Sequence, residues 1–216
     1  YYYIKRNRKI ITQTVKKILK AGTFQVVIGG DHSITYPCIC AFEDFKSLDI
    51  IQIDAHLDWI DEVDGIRYAN GSPMRRSMEL DFTNKMVQLG IRCIRSRESD
   101  YNFAKSQGSQ IFTRQDIRQK GVDEIVEKLP PLGNVYVSID IDGLDPSVAP
   151  CTGSPTVDGL LYYEVINLLK GITKKSNVVG FDIVEVNPMV DLSGQTCLLA
   201  TTLILEFLGM IFDQKN

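Results

Sequence analysis

The 216 residues carry 24 lysines and arginines against 27 aspartates and glutamates, a net charge of −3, with 44% hydrophobic and 24% charged residues. This balance is that of a globular domain with one sizeable core, and it offers no basic footprint for nucleic acid or an anionic membrane. No apolar run is expected to reach the roughly 18 residues of a membrane span, and no signal-peptide pattern opens the chain. The five cysteines (Cys38, Cys40, Cys93, Cys151, Cys197) are odd in number and scattered, which points to reduced thiols and a cytoplasmic setting. Cys38-Ile39-Cys40 lacks the spacing of a zinc knuckle and is expected to serve packing. The first residue is Tyr1 and not Met, so a segment preceding it is expected in the natural protein.

Apolar positions at helical spacing predict a helix over Arg8 to Ala21, with Gly22 as its C-cap. A short strand, Phe24 to Ile28, runs into Gly29-Gly30-Asp31-His32-Ser33. A helix is expected from Thr35 to about Lys46, with Pro37 tolerated in its first turn. Asp49 to Asp54 is the next strand, followed by a polar loop over Leu57 to Gly71. Ser72-Pro73 then opens a helix, with Ser72 as N-cap. Further on come strand Met86 to Ile91, helix Glu98 to Ser106, strand Gln110 to Phe112 and helix Arg114 to Leu129. The chain closes with strand Asn134 to Asp140, helix Asp158 to Lys170, strand Val178 to Val186 and helix Cys197 to Phe212.

The strands are apolar on both faces and alternate with helices, the pattern of an α/β protein whose mostly parallel sheet is covered by helices on both faces, three layers in all. Ligands of such sheets bind beyond the carboxyl ends of the strands. Polar clusters stand at four of those ends, after Ile28, Ile53, Ile139 and Val184.

Ile53-Asp54-Ala55-His56-Leu57-Asp58 is the densest cluster. In an extended segment Asp54, His56 and Asp58 point the same way. Two carboxylates and an imidazole on one face repel or stay unsatisfied unless a cation lies between them. Asp140 and Asp142 repeat the pattern at the end of Val135 to Ile139. Turn and capping roles are open to each motif: Asp31 or Ser33 can cap the helix after the glycines, and Asp142-Gly143 and Asp145-Pro146 are turn signals. Taken together, five carboxylates and one or two imidazoles suit Mn²⁺ or Mg²⁺ better than zinc. Two such cations sharing a water can activate it for hydrolysis at neutral pH.

Gly-Gly-Asp-His-Ser, Asp-Ala-His-x-Asp and Ser-x-Asp-x-Asp-Gly-Leu-Asp-Pro, in this order, resemble the ureohydrolase family of arginases and agmatinases, most closely its agmatinase-like members. The resemblance runs from about Phe24 to Phe212 and implies an arginase-like fold in a single domain over 1–216 that lacks the family's first strand or two. It implies two Mn²⁺ per subunit, one held by His32, Asp54, Asp58 and Asp140, the other by Asp54, His56, Asp140 and Asp142, with Asp54 and Asp140 bridging. It implies further that Glu185, in Phe181-Asp182-Ile183-Val184-Glu185, pairs with a substrate guanidinium, for which a carboxylate is the planar match. Thr152, in Thr152-Gly153-Ser154-Pro155, shapes the substrate pocket on the same basis, and homotrimers or hexamers are the family's usual assembly.

One departure is expected to matter. Where agmatinase-like members have His-Gly-[Ser/Thr]-Pro, this chain has Asn70-Gly71-Ser72-Pro73. Asn70 can hydrogen-bond a substrate but has no proton to exchange near neutral pH. The resemblance therefore implies urea release from a small cationic guanidino substrate, with Asp58 as proton relay. Agmatine is favoured by the acidic stretch Trp59 to Arg67, and a guanidino acid held by Arg67 or Arg75 comes next. The alternatives are a metal-binding homologue without catalysis, kept for a partner, and a formimino or other amidine hydrolase.

Overall fold

The computed structural model describes residues 2–213, which leaves Tyr1 outside the described residues. The elements in order are α1 (Tyr2–Lys20), β1 (Gln25–Ile28), α2 (Thr35–Ile39), β2 (Leu48–Ile53), α3 (Pro73–Met78), β3 (Thr83–Ile91) and α4 (Glu98–Ser106). Then follow β4 (Gln110–Thr113), α5 (Arg114–Lys120), α6 (Val122–Lys128), β5 (Asn134–Asp140), α7 (Tyr162–Lys175), β6 (Asn177–Val184) and α8 (Gln195–Asp213). All six strands are parallel, in the order β1-β6-β5-β2-β3-β4.

Alternation along the strands divides the core in two. Ile51, Ile53, Val137, Ile139, Phe181 and Ile183 pack with Ile117, Ile125, Leu168 and Leu203 from α5 to α8. Leu48, Ile50, Tyr136 and Met86 turn the other way, toward Val15, Ile39, Met74 and Ala104 from α1 to α4. The sheet is thus the middle of three layers, and each face buries its own set of side chains at roughly 25 cal/mol per Å² of apolar surface. This is the fold class the sequence predicts, and residues 2–213 form it without a break.

Several boundaries differ from the prediction, each for a local reason. The helix predicted over Arg114 to Leu129 is two helices, because Gly121 sits at φ +79°, a conformation that ends α5. The helix after His32 is only one short α turn flanked by 3₁₀ turns, His32–Ile34 and Cys40–Phe42, as Ala41 and Phe42 dive into the core. The helix predicted from Asp158 starts at Tyr162. Residues 158–161 instead tie back to the turn after β5, through Leu160 N to Gly143 O (3.0 Å) and Asp145 N to Leu160 O (2.9 Å). Ser72 precedes α3 without capping it; its Oγ is buried and unpartnered. Gly22 does close α1, with Gly22 N bonded to Leu19 O and Thr23 N to Ile18 O.

Against the expectation for apolar runs, α8 is long and apolar enough to cross a membrane by length and composition alone. Here it lays Ala200, Leu203, Phe207 and Ile211 at helical spacing into the core beneath β6. All five cysteines are free thiols, and Cys38 is fully buried.

Candidate metal centre and substrate cavity

The site is built at the carboxyl ends of five strands. β2 and β5 are neighbours, with Ile53 beside Ile139, so the residues that follow them, Asp54 and Asp140, emerge side by side. His32 follows β1, Glu185 follows β6, and the Arg92 to Asp100 segment follows β3.

The extended strand expected to align Asp54, His56 and Asp58 stops at Ile53. The three side chains converge because the chain curls, not because it stays pleated. Asp54 Oδ1 accepts the His56 amide (2.5 Å), and Asp58 sits in the left-handed region at φ +56°. After β5, Asp140 caps a 3₁₀ turn by accepting the Asp142 amide (2.8 Å), and Asp142 Oδ1 accepts the Ala55 amide (3.2 Å). Gly143 lets the two ends touch: a Cβ there would lie 3.0 Å from Asp54 N and 3.1 Å from its Cα.

The result is a cluster of two imidazoles and four carboxylates. His32 Nδ1 lies 2.8 Å from Asp58 Oδ2, 3.2 Å from Asp54 Oδ2 and 3.3 Å from Asp140 Oδ2. His56 Nδ1 lies 3.0 Å from Asp142 Oδ2 and 3.5 Å from Asp54 Oδ1. Asp54 therefore turns one oxygen to each histidine, the placement of a bridging ligand. The ligand atoms of His32, Asp54 and Asp140 fall within 4.8 Å of one another, as do those of Asp54, His56 and Asp142.

The donor set fits divalent cations, on an observation internal to the fold. Ser138 Oγ donates to Asp182 Oδ1 (2.7 Å), so its single proton is committed, and it must accept from His32 Nε2 (2.9 Å). His32 Nδ1, buried, then faces Asp58, Asp54 and Asp140, and between three carboxylates it must carry either a proton or a cation. Burial works to lower the His32 pKa, but Asp58, Asp140 and Asp54 outweigh it and raise it well above the usual value. Burial and the charge of Asp54 push Asp140 and Asp58 up, Asp58 to about 6. Asp142 is pushed up by the same two causes, and the three raised carboxyls mark a crowded cluster whose excess negative charge a cation between the ligands would offset.

Beneath the cluster runs a buried polar row that crosses four strands. Gln88, Gln52, Ser138 and Asp182 are successive register partners in β3, β2, β5 and β6. Gln52 Nε2 donates to Asp54 Oδ2 (2.5 Å), Gln88 donates to Gln52 and to Leu57 O, and Tyr136 OH donates to Asp182 Oδ2 (2.8 Å). These residues hold the ligands in orientation. Sequence reading passed over them, although a polar letter inside a strand apolar on both faces is a signal of this kind.

Above the cluster opens a cavity of about 200 Å³, lined by His32, His56, Asp58, Asp140, Asp142, Glu185 and Asn70, with Trp59, Ile60, Arg95, Ser96, Asp100 and Ser154 on its walls. Glu185, at φ +62°, accepts the His32 amide through Oε1 (2.8 Å), and burial raises its pKa. Asn70 lines the cavity as expected, whereas Thr152 does not. Thr152 is buried, its backbone bridges Val186, and its loop supplies Ser154 to the wall instead.

The acidic stretch turns away from the cavity. Only Trp59 and Ile60 of that loop line it, and Asp61 is consumed by Arg75 (3.3 Å), Arg76 (2.6 Å) and Arg67 (3.7 Å). Arg67 and Arg75 are likewise engaged and absent from the lining. A fifth strand end went unread in sequence. After Ile91, Arg92 donates to the carbonyls of Asp142 (2.8 Å), Gly143 (3.2 Å), Thr156 (2.7 Å) and Val157 (3.0 Å), clamping the Asp142 turn.

Comparison with known proteins agrees with this geometry. The family model described as Arginase family matches residues 2–209. The chain is 35% identical over 213 residues to "Agmatinase, mitochondrial" of Gallus gallus, and 34% identical over 213 residues to "Guanidino acid hydrolase, mitochondrial" of Homo sapiens. These alignments cover 95% and 96% of the chain but 62% and 60% of the relatives, so the chain spans about three fifths of their length. Among solved structures, proclavaminate amidino hydrolase from Streptomyces clavuligerus superposes with a TM-score of 0.84 at 33% identity, covering 94% of this chain and 70% of that one. With the fold, the ordered motifs and a match along nearly its whole length in accord, the chain belongs to the arginase family.

Proposed function

We propose that the chain hydrolyses a linear guanidino compound to urea and an amine with two Mn²⁺ bound. The observation that carries this is the pair of imidazole–carboxylate subsites sharing Asp54 at the floor of a cavity whose wall presents Glu185. The relatives support it: two similar proteins carry the names agmatinase and guanidino acid hydrolase. His32, Asp54, Asp58 and Asp140 would hold one cation and His56, Asp54, Asp140 and Asp142 the other. Oxygen donors with a minority of imidazole favour Mn²⁺. When bound, the cations supply a water activated for attack on carbon.

The chain's own residues do the rest. Glu185 keeps Oε1 on the His32 amide and offers its carboxylate to the substrate guanidinium, fixing the central carbon over the cluster. Asp58, on the cavity lining beside His32, is placed to take the proton lost by the attacking water and return it to the departing nitrogen. The bond between that nitrogen and the central carbon breaks; water contributes the urea oxygen, and both of its protons end on the released amine, which leaves as an ammonium. Asn70 contacts the substrate through its amide.

Agmatine was the substrate favoured by the acidic stretch, and that support falls away with Asp61 turned to its arginines; Asp100 is the carboxylate remaining on the outer wall. The test is reconstitution with Mn²⁺ and assay of urea and amine from simple guanidines. Equal yields of both, abolished in Asp140→Ala, are expected. Release of formamide or ammonia without urea would instead support an amidine as substrate.

A further inference from the structure

The guanidine-hydrolysing reading leaves the far end of the substrate unassigned, and the segment between β3 and α4 supplies the groups nearest to it. Five of the six proposed ligands are buried and His56 is partly exposed, whereas Arg95 is exposed, so Arg95 marks the mouth of the cavity they share. Resting on that reading, we propose that Arg95, assisted by Ser96, receives a carboxylate at the far end of the substrate. The chain then acts on ω-guanidino carboxylates in preference to agmatine.

The charge inventory of the wall supports this. Other arginines near the site are already committed: Arg67, Arg75 and Arg76 to Asp61 and Glu79, and Arg92 to backbone carbonyls. Arg95 has no carboxylate within ion-pair distance among the described residues; its one polar contact is Nη2 to His56 Nε2 at 3.4 Å. If His56 Nδ1 holds a cation, Nε2 carries the ring proton and no longer accepts from Arg95. The guanidinium is then free, on the wall, with its planar fork available for a carboxylate. Ser96, the next residue, adds a hydroxyl donor to the same wall.

Asp100 is the competing group, since it would suit an ammonium tail. It stands in the first turn of α4, where the helix amino terminus already offsets a negative charge. Its Oδ2 is sealed from solvent and has no hydrogen-bond partner, so a preference for agmatine is the result that would assign the tail to Asp100 in place of Arg95. The acids of the Trp59 to Arg67 loop, which would have favoured a cation, do not line the cavity.

The experiment compares 4-guanidinobutanoate, agmatine and butylguanidine, matched in length and differing in tail charge. Steady-state kinetics are run on the Mn²⁺-loaded wild type, Arg95→Ala and Arg95→Glu, with calorimetric binding of 4-guanidinobutanoate alongside. A charge-assisted contact of this kind sets an expected fall of about 10–100-fold in the acid-to-amine ratio of kcat/KM for Arg95→Ala. The ratio should invert in Arg95→Glu, with the change carried by KM for the acid. Taking a ratio on one preparation removes differences in folding or metal loading. Wild-type preference for agmatine, or a ratio unmoved by Arg95→Glu, overturns the carboxylate site and leaves guanidine hydrolysis standing. Arg95-dependent binding of the acid without urea from any of the three would overturn hydrolysis and retain the carboxylate site.

Discussion

Ser138→Ala tests whether the buried row beneath the cluster orients His32. The substitution removes one oxygen from a fully buried position, leaving His32 Nε2–H without its acceptor at 2.9 Å and Asp182 Oδ1 without its donor at 2.7 Å. A buried polar group left unsatisfied costs about 1–3 kcal/mol, so the two together predict a loss of about 2–6 kcal/mol in the cation-free protein. Against a total of about 5–15 kcal/mol for a domain, that is a large fraction. With the ring free to change tautomer, Mn²⁺ affinity should fall about 10–100-fold. Urea denaturation in chelator gives the first quantity and calorimetric Mn²⁺ titration the second. Asp182→Asn should couple strongly to Ser138→Ala in a double-mutant cycle. A stability loss under about 0.5 kcal/mol with Mn²⁺ affinity within about twofold of wild type would refute the assigned tautomer and the supporting role of the row.

Two further perturbations address other parts of the site. Arg92→Ala strips donors from six carbonyls, those of Asp142, Gly143 and Leu144 in the turn and of Gly90, Thr156 and Val157 beside it, and should destabilise the protein by about 3 kcal/mol or more in thermal unfolding. Arg92→Lys should restore little, because a point charge cannot reproduce the fan of contacts, and full recovery would contradict the clamp. Asn70→His places a titratable ring on the cavity wall; if proton transfer limits turnover, urea release should rise about 10–100-fold and gain a pH limb near the histidine value of about 6.5. An unchanged pH profile would show that this position does no acid–base work.

Much of this was legible in the sequence, because the relevant constraints are local. Strands such as Leu48–Ile53 are buried along their whole length and so carry apolar residues on both faces, which marks a covered parallel sheet. All six proposed ligands stand at or just beyond strand ends, where polar letters interrupt apolar runs, and the structure gathers all six. What was not legible depends on partners distant in sequence. The acids after Trp59 looked like a cationic-substrate lure, but three arginines neutralise Asp61, two of them in α3. The alignment of Asp54, His56 and Asp58 was foreseen for the wrong reason, since a curled backbone and not a pleat produces it. Thr152 shared a motif with Ser154, and only the fold shows which of the two faces the cavity. Arg92 and Arg95 escaped notice because nothing around them forms a ligand-like cluster; their roles come from carbonyls and empty space supplied by other elements.

The central claim is that two divalent cations share Asp54 between a His32 subsite and a His56 subsite. Native mass spectrometry of the Mn²⁺-equilibrated chain reads this directly as bound equivalents. The account predicts two Mn²⁺ in the wild type, one in His32→Ala, one in His56→Ala, and weakened binding at both subsites in Asp54→Ala. A single ion in the wild type, or two ions retained in Asp54→Ala at wild-type affinity, would contradict it.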